Sequence, residues 1–194
     1  MSRIATLSRE TAETAIRLEL DLDGGGRAEV DTGIGFLDHM IESLAKHSGF
    51  DVALVAKGDL HVDDHHTSED TALTLGAALD QALGDRTGIR RFGSAYVPLD
   101  EALARSVVDL SGRPYSWCDL GLSGERLGTW STQNVGHFFG SLATAGRLTL
   151  HLDVLRGEND HHRCEAAFKA MALALREAVG DRGIAGVPST KGVL

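Results

Sequence analysis

Two short motifs carry the chemistry available to this sequence. His65-His66-x-x-Glu69 and His161-His162-x-x-Glu165 each set two imidazoles beside a carboxylate at helical spacing. On an α-helix, positions i and i+4 share a face, while i+1 lies about 100° round. His65 and Glu69 can therefore chelate one ion together, with His66 pointing towards a neighbouring one. His161, Glu165 and His162 repeat the arrangement. His39 and His137 sit at matching places in an earlier segment of each half and add one ligand apiece. Eight groups divide into two ions with three His and one Glu each. We expect each ion to take a His/Glu pair from one cluster and the inner His from the other. Mixed imidazole and carboxylate ligation suits Mn, Fe or Zn, and open coordination positions favour catalysis over a purely structural site. Neither the Glu-x-x-His motif of di-iron bundles nor the His-Glu-x-x-His motif of zincins is present. Cys164, three residues after His161, answers Ser68 in the first cluster and reads as a small packed residue.

The elements that must position these groups are written twice. At an offset of 96 residues, Ala72, Leu75, Gly76, Leu79, Ala82 and Leu83 answer Phe168, Met171, Ala172, Leu175, Ala178 and Val179. Both runs are helical in period, and both stop at Gly-Asp-Arg, Gly84 to Arg86 and Gly180 to Arg182. Gly is expected at a helix C-cap, and Asp64 and Asp160 are candidate N-caps. Upstream, at an offset of 98, His39-x-x-x-Ser43-Leu44-Ala45 answers His137-x-x-x-Ser141-Leu142-Ala143. Period-2 alternation marks strands over 51–56 and 147–152. Residues 15–23 and 27–31 around the Gly24-Gly25-Gly26 turn read as a hairpin, as do 105–109 and 114–120 around Ser111-Gly112. Each half is thus ββαβα, with two helices on one face of its sheet region. The whole is an α+β fold of two duplicated halves, residues 1–93 and 94–194.

The repeat is broken where a substrate would need asymmetry. His161, Glu165 and Lys169 form an i, i+4, i+8 stripe, but the first half carries Leu73 at the third position. A cation one turn beyond a metal-binding carboxylate suits a substrate phosphate. Arg90 and Arg91 after the first Gly-Asp-Arg stop, Arg113 in the Ser-Gly-Arg-Pro turn, and the hydroxyl-and-Lys pair Ser189 and Lys191 are further candidates. Gly33-x-Gly35 lacks a third Gly and leads into a His-bearing helix, so dinucleotide binding is not expected. No Gly-x-Ser-x-Gly nucleophile elbow occurs.

Bulk properties narrow the partners. The chain has 194 residues and a net charge of −9, which repels phosphate backbones and argues against nucleic acid. Two cysteines are too few for a disulfide framework and suggest a reducing compartment. Neither a signal peptide nor a membrane span is legible, so a cytoplasmic protein is expected.

Several stretches together resemble imidazoleglycerol-phosphate dehydratases of histidine biosynthesis. They are Gly35-Phe36-Leu37-Asp38-His39-Met40; Gly58-Asp59-Leu60 leading into the first cluster; Asp100-Glu101-Ala102-Leu103; Ser111-Gly112-Arg113-Pro114; the second cluster with Phe168-Lys169-Ala170; and Pro188-Ser189-Thr190-Lys191-Gly192. The similarity runs from Arg9 to the C-terminus, with Ser68 standing where an aliphatic residue is expected. The resemblance implies two Mn²⁺ per active site, ligands shared between subunits, and a homo-oligomer of about 24 chains. It implies that Arg91, Arg113, Lys169, Ser189 and Lys191 hold the phosphate of a small phosphorylated imidazole substrate. It implies dehydration of D-erythro-imidazole glycerol phosphate to imidazole acetol phosphate. The proton lost in that reaction has no adjacent carbonyl, so metal coordination must make the imidazole ring easier to ionise. Glu13, matching an acidic position near the substrate in the family, is the expected proton-transfer group.

Overall fold

The computed structural model describes residues 3–192 and 194. Three strands, β1 (Ile4–Glu10), β2 (Thr14–Asp21) and β3 (Ala28–Asp31), precede helix α1 (Gly35–Ser48), strand β4 (Asp51–Gly58) and helix α2 (His65–Leu83). The second half repeats this order with β5 (Phe92–Leu99), β6 (Ala102–Asp109), β7 (Tyr115–Asp119), α3 (Thr132–Ala145), then a strand over Thr149–Arg156 and helix α4 (Asp160–Ala178). A small ribbon, β8 (Arg126–Leu127) and β9 (Trp130–Ser131), is inserted before α3, so the Thr149–Arg156 strand is β10. The α+β duplication is as the sequence requires, and each ββαβα run is preceded by one further strand.

The two expected hairpins do not form. The sheet orders are β1-β2-β4-β3 and β5-β6-β10-β7. β4 therefore inserts between β2 and β3, antiparallel to β2 and parallel to β3. β10 inserts likewise between β6 and β7. The tight antiparallel corners lie earlier, between β1 and β2 and between β5 and β6. Turn residues at Gly24 to Gly26 and Ser111-Gly112 mark a change of direction but cannot say which strand becomes the neighbour. Long-range pairing makes that choice: the backbones of β4 and β10 are hydrogen-bonded along both edges and so take the interior of each sheet.

Strict alternation gives each sheet one buried and one open face. Ile16, Leu18 and Leu20 of β2 and Val52 and Leu54 of β4 are buried, as are Ala102, Ala104, Leu150 and Leu152 in the second half. Burial of each larger aliphatic side chain contributes roughly 1.5–3 kcal/mol. The helices rest on these faces and meet across the halves, α2 on α3 and α1 on α4. Trp130, Phe138, Phe139 and Phe168 fill the junction with no exposed surface. Gly76 of α2 permits the α2–α3 approach, since a Cβ there would stand 2.4 Å from the Leu142 carbonyl.

The helix starts also differ from expectation. Asp64 is the N-cap residue of α2, but its carboxylate turns away from the helix, and Asp63 Oδ1 accepts from the His65 N–H at 2.8 Å. In α4 the capping side chain is Asn159, which accepts from the N–H groups of His161 and His162. Asp160 instead accepts from the backbone of Ser123 and Gly124. Both carboxylates find donors in the β7–α3 segment of the second half, Ser131 for Asp64 and Ser123 and Gly124 for Asp160, and are drawn off their own helices.

Candidate metal centre

The cross-half helix pairs gather the chemistry into two separate trios. His39 of α1 joins His161 and Glu165 of α4, and His137 of α3 joins His65 and Glu69 of α2, with the ligand atoms of each trio within 4.8 Å of one another. His39 Nε2 lies 3.5 Å and His161 Nε2 3.1 Å from Glu165 Oε2. His137 Nε2 lies 3.2 Å from Glu69 Oε1, and His65 Nε2 lies 3.8 Å from Glu69 Oε2. Two imidazoles and a carboxylate converging with little protein between them form a donor set that fits a divalent first-row cation with open positions. The helical spacing thus does what it promised. The ligand outside each cluster comes from the opposite half.

The inner histidines belong to neither trio among the described residues. His66 Nδ1 meets Asp59 at 3.1 Å, and its Nε2 faces Glu13 Oε1 at 3.7 Å. His162 Nδ1 meets Glu101 Oε2 at 2.8 Å, and its Nε2 faces Asp100 at 3.8 Å. Carboxylates accept only, so in the neutral ring each Nδ1 carries the proton and each Nε2 keeps its lone pair. The Asp59 hydrogen bond raises the pKa of His66, and the Glu101 hydrogen bond raises that of His162. Glu101, accepting from the Asn159 backbone, His162 and the Glu158 backbone, is lowered to about 2.

Cationic candidates fall into two groups. Lys169 Nζ sits 2.7 Å from Glu165 Oε1. Burial opposes the Glu165 charge, but Lys169, His161 and His39 outweigh it and the pKa falls. His47, two turns beyond His39 on α1, has its pKa lowered by burial and then by Lys169. The other group centres on Asp109, which binds Arg91 through Nε at 2.6 Å and Nη2 at 3.0 Å, with Arg113 at 3.9 Å. Arg91 also donates to the Pro188 carbonyl at 2.8 Å, tying the tail to this group, and Ser189 Oγ accepts from the Lys191 N–H. Cys164 is fully buried and its pKa is pushed well up by burial, which fits packing and not ligation. Ser68 has a task in place of an aliphatic residue: its Oγ accepts from Trp130 Nε1 at 2.8 Å.

Asp59, Glu101 and Asn134 support the ligand imidazoles and were not singled out by spacing. Asn134 Oδ1 lies 3.1 Å from His65 Nδ1. Its position three before His137, on the same helix face, was the available signal.

A sequence model of the imidazoleglycerol-phosphate dehydratase family matches residues 32–175. The chain belongs to the imidazoleglycerol-phosphate dehydratase family. The dehydratase of Paracoccus denitrificans is 55% identical over 99% of this chain and 100% of its own length. That of Phytophthora nicotianae is 60% identical over 99% of this chain, which spans 42% of that longer protein. A crystal structure of the Staphylococcus aureus imidazoleglycerol-phosphate dehydratase superposes with a TM-score of 0.83 at 38% identity, covering 92% of this chain and 99% of that one. The Pyrococcus furiosus dehydratase structure gives 0.84 at 38% identity, covering 97% and 100%. As an imidazoleglycerol-phosphate dehydratase the chain is a hydro-lyase of histidine biosynthesis. No helix among the described residues is long and apolar enough to cross a membrane.

Proposed function

We propose that this chain dehydrates D-erythro-imidazole glycerol phosphate to imidazole acetol phosphate at a site holding two Mn²⁺. The observation that carries the reading is the pair of trios, His39–His161–Glu165 and His65–Glu69–His137. Each offers three donors, and His66 and His162 turn their free Nε2 atoms away from both. The inner histidines therefore complete ligand sets on neighbouring chains, so that the active site lies between subunits. The open face of the second sheet supports assembly: Phe92, Tyr96, Val107, Tyr115 and Trp117 are all exposed there. An assembly of about 24 chains is the form we propose, in the cytoplasm.

Bound Mn²⁺ would supply Lewis acidity to the substrate imidazole, easing loss of its ring proton. The residues do the rest. Glu13, exposed beside His66, is placed to carry the proton removed from the carbon next to the departing hydroxyl. Lys169, Arg91, Arg113, Ser189 and Lys191 seat the phosphate, where Arg forks and ammonium groups meet its oxygens. A dinuclear hydrolase would use the same ligands but release phosphate, and a storage protein would turn nothing over. Incubating the Mn-loaded protein with imidazole glycerol phosphate separates them. Ketone without free phosphate is expected; free phosphate, or no product, overturns the reading.

A further inference from the structure

Three of the four cluster imidazoles have an acceptor on Nδ1. For His66 and His162 it is a carboxylate, but for His65 it is the amide of Asn134, 3% exposed on α3. An amide can present either an acceptor or a donor, so by itself it leaves the His65 tautomer open. In the structure Oδ1 of Asn134 is the atom turned to His65, 3.1 Å from Nδ1. The neighbouring Asp64 carboxylate is buried and holds the start of α3 by accepting from Ser131 Oγ at 2.8 Å and from the Ser131 N–H. With Oδ1 as acceptor, His65 Nδ1 carries the proton in the neutral ring, and Nε2 keeps the lone pair directed at Glu69 and His137.

His161, the repeat counterpart of His65, has no such Nδ1 partner among the described residues. The position answering Asn134 at the offset of 98 is Phe36. Its ring meets His161 edge-on, with centroids 5.0 Å apart and planes at 77°. An aromatic contact restrains the imidazole plane but accepts no Nδ1 proton, and Asp160 spends its carboxylate on Ser123 and Gly124. One trio therefore has an imidazole held through Nδ1 by a hydrogen-bond acceptor, and the other does not.

We propose that Asn134 is a positioning residue that makes the two metal positions unequal, the His65–Glu69–His137 position holding its ion more tightly than His39–His161–Glu165. The inference rests on the two-ion reading above. Partners of metal-ligating His residues typically change affinity about 10- to 100-fold when lost.

The test is metal retention by the assembled protein, loaded with Mn²⁺ and dialysed against graded chelator, with Mn content and the Mn²⁺ EPR spectrum recorded. Wild type should hold two ions per chain in two affinity classes. Asn134→Leu, close to the buried side chain in volume, should weaken the tighter class about 10- to 100-fold and leave the weaker one. The assignment is checked with one position removed. Added to Glu165→Gln, Asn134→Leu should lower retention and alter the remaining EPR signal; added to Glu69→Gln, it should do neither. If Asn134→Leu does not assemble, Asn134→Ser serves, being smaller and too short to reach His65. Equal loss from both classes, or no loss from either, overturns the role of Asn134. Fewer than two ions per wild-type chain overturns the two-ion reading itself.

Discussion

The corners before β2 and β6 are the same feature in the two halves, and they have been put to different use. At the second, Glu101 holds Nδ1 of His162 and accepts from the backbone N–H groups of Glu158 and Asn159. At the first, Glu13 takes the same place, but Asp59 in the loop after β4 holds Nδ1 of His66 instead. Glu13 is left facing Nε2 from 3.7 Å with half its side chain exposed. One corner carboxylate is committed to structure, and the other is left uncommitted for the proton transfer proposed above. A duplicated fold can acquire a reactive group by transferring its structural task to a neighbour.

Exchanging the two corners offers the sharpest test. Glu13→Gln should lower turnover about 10²- to 10⁴-fold while both ions remain bound, as expected for a lost proton-transfer group. Glu101→Gln should act mainly on metal retention, about 10- to 100-fold. Turnover and elemental analysis on both variants decide it, and unchanged turnover for Glu13→Gln at full metal loading would sink the assignment.

A second difference is Lys169 against Leu73. Lys169→Leu makes the stripes alike and should lower kcat/KM about 10- to 100-fold, the size of a lost hydrogen bond to a charged group. The loss should fall chiefly on KM, and steady-state kinetics over substrate concentration will show whether it does.

The α2–α3 and α1–α4 crossings differ too, because α2 carries Gly76 where α4 carries Ala172. Gly76→Ala drives a methyl towards the Leu142 carbonyl and the Gly146 N–H and should destabilise by about 1–3 kcal/mol. Ala172→Gly should cost only about 1 kcal/mol, from helix propensity. Thermal unfolding of the two variants would compare them; a stable Gly76→Ala would mean the crossing can widen.

The smallest expected effect is with pH. His66 and His162 both have raised pKa values in the metal-free chain. Their ion pairs contribute stability that is fully present below the ordinary His value and is lost as pH rises through the raised ones. Metal must displace those protons, so apparent Mn²⁺ affinity should fall as pH drops through the same range. Titrations at several pH values would register this, and an affinity flat with pH would contradict it.

Much of this was legible in the residues. The His-His-x-x-Glu spacing determined the chelating pairs because an α-helix brings i and i+4 together whatever surrounds it. The repeat determined the α+β duplication and located both outer histidines. Local sequence cannot show which strand becomes a neighbour, so its turns suggest two hairpins where β4 and β10 intervene. Nor could it show that His137 serves the first cluster and His39 the second, since that follows from α2 packing on α3 and α1 on α4. Glu13 and Glu101 escaped alignment because they lie 88 residues apart while the clusters lie 96 apart. The sequence by itself determined which side chains could bind metal. Tertiary structure decided which of them meet, which groups hold Nδ1 of His65, His66 and His162, and which carboxylate is left free. Those are set by contacts between segments distant in the chain, and no local period encodes them.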